Sequence, residues 1–197
     1  MNLPNKLTIL RIVMVPVYLI LLVTPFPHHY LAALAVFALA SLTDLLDGKI
    51  ARKHHLITNL GKFLDPLADK MLTTAAFLGF MVCGIGGLVP MMWVNFIVLQ
   101  REFLVTSVRY MAASSGKVVA ANLYGKIKTV SQMVAIMMAM AFEYVIELDA
   151  TLGTAVLAGL PTTVLRVLYN AAIWFSALMT VVSGAVYLWE NREFLKG

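Results

Sequence analysis

Four aspartates offer the clearest chemistry in this sequence. Asp44 and Asp47 are three positions apart and Asp65 and Asp69 four, so on helices each pair shares one face. Only the polar run from Lys53 to Asn59 separates the two apolar stretches that carry them, which predicts antiparallel neighbouring helices. Both pairs lie about equally far from that loop, so the four carboxylates are expected to converge at one depth. They cannot all be ionised there alone. Each charge inside a span costs at least about 2.5–3.5 kcal/mol on insertion scales, and mutual repulsion adds to it. One or two divalent cations resolve the conflict, and oxygen-only ligands favour Mg²⁺ or Mn²⁺. Such ions keep positions open for substrate phosphates, which points to phosphoryl-type chemistry. The plainer alternative pairs Asp44 with Lys49, and Asp69 with Lys62 or Lys70, as interfacial ion pairs. Gly48 and Gly61 beside the acids suit either close ligand approach or helix packing.

A second group of residues is cationic. Arg101 falls deep within an apolar stretch, where an unpaired cation is expensive. Its neighbour Glu102 points in another direction on a helix and is expected to be a poor partner for it. Facing inward with Arg109, Lys126 and Lys128, Arg101 would form a basic pocket for a phosphate. Asn5, Thr8 and Arg11 are placed to line the same cavity. Alternatively, these cations simply mark the cytoplasmic side or touch lipid headgroups.

The elements that must position these groups are membrane spans. Of 197 residues, 61% are hydrophobic and 13% charged, with a mean hydropathy of +0.87. Soluble domains are about 25% charged, and this much apolar surface exceeds what one water-soluble core can hide. Six stretches are long enough to span, at about 7–24, 30–52, 62–83, 89–112, 124–146 and 164–189. A span needs roughly 20 apolar residues. The breaks are Pro25-Phe26-Pro27, Lys53 to Asn59, Gly84 to Gly87, Ser114-Ser115-Gly116 and Gly159 to Thr163. The expected fold is therefore all-α, a polytopic bundle of six transmembrane helices forming one domain over residues 1–197.

Every Lys and Arg except Arg166 falls toward one side of this bundle, while Glu143, Glu147 and Asp149 are assigned to the opposite loops. Basic loops stay cytoplasmic, so both termini are expected there, as an even number of spans requires. The net charge of +5 then reflects loops against anionic headgroups rather than nucleic acid. Pro4, Arg11 and Pro16 argue against a cleaved signal peptide. Cys83, the lone cysteine, excludes an intrachain disulfide.

Residues 44–69 read Asp-x2-Asp-Gly-x2-Ala-Arg-x8-Gly-x3-Asp-x3-Asp, which resembles the signature of the CDP-alcohol phosphatidyltransferases at every fixed position. The resemblance implies a six-helix intramembrane enzyme, usually a homodimer, that moves a phosphatidyl group from CDP-diacylglycerol to an alcohol and releases CMP. It implies that Asp44, Asp47, Asp65 and Asp69 bind two divalent metals and that Asp69 is also the general base. Gly48, Arg52 and Gly61 would contact the CDP moiety. Further resemblance, from about residue 2 to 145, is to the bacterial phosphatidylglycerophosphate synthase branch. It rests on Leu3-Pro4-Asn5-Lys6-Leu7-Thr8-Ile9-Leu10-Arg11, Arg101-Glu102-Phe103, Arg109 and Gly125-Lys126-Ile127-Lys128-Thr129 with Gln132. That branch implies sn-glycerol 3-phosphate as acceptor and an inner (cytoplasmic) membrane enzyme with its site facing the cytoplasm. The alternatives are another acceptor, such as phosphatidylglycerol, inositol phosphate or serine, or a divalent-cation transporter. A transporter needs polar residues across the whole bundle, and the acids cluster at one end. An intramembrane aspartyl protease needs two acids near mid-membrane and no metal. His54-His55 point apart on a helix, and the 12 methionines read as gap fillers.

Overall fold

The computed structural model describes residues 3–53, 59–114, 122–152 and 161–195. They form six helices: α1 (Leu3–Val23), α2 (His29–Lys53), α3 (Asn59–Cys83), α4 (Leu88–Ser114), α5 (Leu123–Leu152) and α6 (Thr162–Glu190), followed by a 3₁₀ turn at Arg192–Leu195. No strand occurs among the described residues. In hydrocarbon, a helix satisfies its backbone hydrogen bonds internally, so unbroken apolar runs become helices. α1, α4, α5 and α6 are long and apolar enough to cross a membrane. Among the described residues, the apolar parts of α2 and α3 run over His29–Asp44 and Lys70–Cys83.

The α3–α4 connection is a tight glycine turn. Gly84, Gly86 and Gly87 have φ of 72°, 76° and 82°, a left-handed conformation that side chains disfavour. At the start of α5, the Gly125 N–H donates to Asn122 Oδ1 at 2.9 Å, an Asn cap worth about 1 kcal/mol. The amide of Asn122 donates in turn to Glu190 Oε2 at 3.2 Å, tying the start of α5 to the end of α6.

The helices form a closed ring of neighbours in the order α1, α2, α5, α6, α4, α3 and back to α1. Among the described residues α2 and α3 meet directly but sparingly, and α1 packs broadly against both. Small residues permit this. A Cβ on Gly79 of α3 would lie 2.5 Å from Leu22 Cδ2 of α1, so the two backbones approach where no side chain fits.

The ring interior divides by polarity. Tyr18, Leu22, Phe37, Phe77, Phe80, Met91, Met140 and Ile173 belong to a dry core at the end nearer the glycine turn. Toward the other end the buried positions become polar: Asn5, Thr8 and Arg11 on α1, Lys128 and Gln132 on α5, Thr180 and Ser183 on α6. One α1 face carries both zones, with Asn5, Thr8 and Arg11 followed by Val15, Tyr18 and Leu22.

The far end also corrects the expected loops. α5 continues to Leu152, because no glycine or proline interrupts it, so Glu143, Glu147 and Asp149 are helical. Glu143 is buried and accepts a hydrogen bond from the Tyr169 hydroxyl at 2.6 Å. Arg166 Nε lies 3.6 Å from the same carboxylate oxygen, so the one basic residue on this side neutralises a buried acid. With Tyr30 and the glycine turn, these groups line a cavity of about 340 Å³.

Candidate active site

The polar half of the ring begins with α1. Asn5, Thr8 and Arg11 recur every third residue and are all buried, which puts them on one inward face. Arg11, with 1% of its side chain exposed, directs Nη1 to Asp44 Oδ1 at 2.6 Å. A buried guanidinium must be paired, and its partner here is the first signature aspartate. Asp44 is thus paired with α1, while the side chain of Lys49, its alternative partner from sequence, lies outside the described residues. Arg11, assigned from sequence to the acceptor pocket, thus touches the acidic group. It also fastens α2 to α1, the helix that holds α3.

The backbones of Asp47, Gly48 and Arg52 lie in α2, and those of Gly61, Asp65 and Asp69 in α3. Both acidic pairs therefore have the helical spacing that sequence predicts. The side chains of these residues, their convergence, and His54 and His55 lie outside the described residues. Asp44 itself is 32% exposed. A carboxylate steadied through Oδ1 yet still partly exposed fits a divalent cation's need for hard oxygen ligands.

The second cluster is built around a residue that sequence reading dismissed. Glu102 accepts from Arg101 Nη1 at 3.0 Å and from Lys128 Nζ at 2.6 Å, both on Oε1. Its Oε2 lies 3.8 Å from Lys70 Nζ. Adjacent positions on a helix diverge at Cβ, but the long Arg and Glu side chains bend back until their charges meet. Charges this deep in the bundle gather together because an unpaired one is costly there. Lys70 also donates to the Thr106 hydroxyl, so its ammonium group turns to α4. Lys70 directly follows Asp69, which joins the cationic cluster to the acidic helix.

Arg101 is fixed from several directions. Its Nη2 donates to Ser183 Oγ at 2.7 Å. α6 can approach because residue 184 is glycine, whose added Cβ would stand 3.1 Å from Arg101 Cγ. A Cβ on Gly125 would lie 3.6 Å from Nη2. One turn deeper, Gln132 donates to Thr180 Oγ1 at 3.1 Å, closing the polar zone above the dry core.

Of the cations assigned to one pocket from sequence, the structure gathers Arg101 and Lys128 and adds Lys70. Arg109 is exposed, its guanidinium 5.7 Å from the Tyr187 ring centre, and Lys126 is exposed as well. Ser183, Lys70 and Glu102 are the site residues that sequence reading missed. The signal for Glu102 was its depth: an acid beside a mid-span arginine is itself a charge in need of a partner.

Comparison with known proteins bears on what such a site does. A family model described as CDP-alcohol phosphatidyltransferase matches residues 1–189. The chain is 39% identical over 208 residues to the CDP-diacylglycerol–glycerol-3-phosphate 3-phosphatidyltransferase of Bacillus subtilis, covering 99% of this chain and 97% of that one. A probable phosphatidylglycerophosphate synthase of Mycobacterium tuberculosis is 38% identical over 95% of this chain and 80% of its own. A CDP-diacylglycerol–glycerol-3-phosphate 3-phosphatidyltransferase of Pseudomonas fluorescens is 33% identical over 98% and 100%.

Proposed function

The chain belongs to the CDP-alcohol phosphatidyltransferase family, and we propose on that footing that it transfers the phosphatidyl group of CDP-diacylglycerol to sn-glycerol 3-phosphate, giving phosphatidylglycerophosphate and CMP. The family match over residues 1–189, together with names shared by relatives that cover nearly the whole chain, carries this reading. The polar half-bundle supports it, because a lipid and a water-soluble substrate can meet only near the interface.

Asp44, Asp47, Asp65 and Asp69 would hold two divalent cations, Mg²⁺ or Mn²⁺, in keeping with a family that is generally metal-dependent, and the chemistry so supplied would be charge neutralisation at the attacked phosphate and the departing CMP. The chain's own residues do the rest. Gly48, Arg52 and Gly61 receive the CDP moiety, Arg52 through charge-assisted hydrogen bonds to a phosphate. Arg101 and Lys128 bind the acceptor's phosphate, with Asn5 and Thr8 lining the cavity and Arg109 and Lys126 attracting anions from outside. Asp69 takes the acceptor's hydroxyl proton as its oxygen attacks phosphorus. The new oxygen–phosphorus bond forms as the pyrophosphate bond breaks and CMP leaves. Arg11 orients Asp44. The enzyme works as a homodimer in the cytoplasmic membrane with this site facing the cytoplasm.

The test uses purified protein, CDP-diacylglycerol and Mg²⁺ or Mn²⁺. CMP release and a phosphorylated lipid product are expected only when glycerol 3-phosphate is added. Turnover with serine, inositol phosphate or phosphatidylglycerol, and none with glycerol 3-phosphate, would reassign the acceptor.

A further inference from the structure

An acid in the middle of an anion pocket demands an explanation. Glu102 stands among the cations that the proposed reaction needs for the acceptor, yet its own charge repels a phosphate. If the pocket were merely basic, a neutral residue would serve better. The side chain is 15% exposed and reaches Lys128 at 2.6 Å, Arg101 at 3.0 Å and Lys70 at 3.8 Å. Those cations come from three helices, α5, α4 and α3, and without an anion between them they repel one another.

We propose that Glu102 is a positioning residue that assembles the acceptor's phosphate site before the acceptor arrives; this rests on the functional reading above. Two observations point the same way. Arg101 is held at both amino groups, Nη1 by Glu102 and Nη2 by Ser183, which fixes the plane of its guanidinium. Its Nε–H is buried as well and has no acceptor among the described residues. The charge also balances. Three cations and one carboxylate leave two positive charges, matching the dianion of a phosphate monoester rather than a phosphodiester or an uncharged alcohol. Glu102 thus keeps the cations close without cancelling their attraction.

The experiment separates positioning from simple charge balance. Steady-state CMP release is measured on full-length protein while glycerol 3-phosphate and CDP-diacylglycerol are varied in turn. Inorganic phosphate serves as a competitor of the acceptor. In Glu102→Gln, KM for glycerol 3-phosphate and the inhibition constant of phosphate are expected to rise together by about tenfold or more. KM for CDP-diacylglycerol should stay within about twofold and kcat within about threefold. The double variant Glu102→Gln/Lys70→Gln restores the net charge of two while leaving Arg101 and Lys128 without their anchor. It guards against a single variant that fails to fold, and its KM for glycerol 3-phosphate should remain elevated. A return to the wild-type KM in the double variant would reduce Glu102 to a counter-charge and overturn the proposal. An unchanged acceptor KM in either variant, or a loss confined to kcat, would do the same. Wild-type protein that makes no lipid from glycerol 3-phosphate would defeat the functional reading first, and this proposal with it.

Discussion

Arg11 and Asp44 meet at 2.6 Å, and this contact makes testable demands on both sides. Replacing Arg11 with Met leaves Asp44 without its counter-charge. Breaking a buried pair costs about 3–5 kcal/mol, and the partial exposure of Asp44 brings that down to roughly 2 kcal/mol. A thermal melt of detergent-purified Arg11→Met should therefore begin several degrees lower, with activity falling alongside. Asp69→Asn should behave differently. The amide keeps the shape but neither takes a proton nor ligates a cation well, so CMP release should vanish while melting temperature and gel-filtration profile are retained. A chelator should reproduce that loss, and added Mn²⁺ or Mg²⁺ should reverse it; activity surviving either treatment would refute the roles given to the aspartates. The spacing of the four aspartates was legible in the sequence because helical periodicity alone puts such residues on one face. Arg11's partner and the bend of Glu102 back to Arg101 were not. The first depends on side-chain reach between helices and the second on side-chain conformation within α4, neither of which helical periodicity encodes.

At the scale of the helix, polarity and glycine do the organising. Sequence placed the six helices within a few residues, because apolar run lengths and turn residues set their ends. The exception is α5, which runs to Leu152 through acids read as loop. Sequence could not foresee that α1 serves as the common support for α2 and α3, since neighbour choice depends on which small residues meet. Gly79 is the point to test. A side chain there must displace Leu22, and overpacking typically costs about 1–3 kcal/mol. Gly79→Val should lower the melting temperature and also reduce activity, because α1 holds Asp44 through Arg11 and packs along α3. Gly184→Ala is a milder probe. Its methyl would press on Arg101 Cγ from 3.1 Å, so KM for glycerol 3-phosphate should rise severalfold with little change toward CDP-diacylglycerol. Equal effects on both substrates would show that the α4–α6 approach does not aim Arg101.

Across the whole molecule, two polar ends are separated by an aromatic and aliphatic layer containing Tyr18, Phe37, Phe77, Phe80 and Ile173. A cation path would need polar groups through that layer, so the architecture favours chemistry at one face over transport. The ends are unequal in kind. The far end holds Glu143, Tyr169 and Arg166 in a compact pairing, while the signature and its cations occupy the other. The proposed orientation, with the basic end cytoplasmic, rests on the positive-inside tendency and is open to test. Thr24, just past α1, and Ser114, at the end of α4, are both exposed and lie at opposite ends. Leu22 beside Thr24 accepts a hydrogen bond from Cys83, which fixes that end as the glycine-turn side. In a Cys83→Ser background, Thr24→Cys should react with a membrane-impermeant maleimide on intact cells. Ser114→Cys should react only after the membrane is opened. The reverse pattern would turn the acidic signature outward, away from any cytoplasmic supply of nucleotide-activated lipid and phosphorylated acceptor. A phosphatidyltransferase so placed could not meet its substrates, so the labelling tests the orientation and the proposed reaction together.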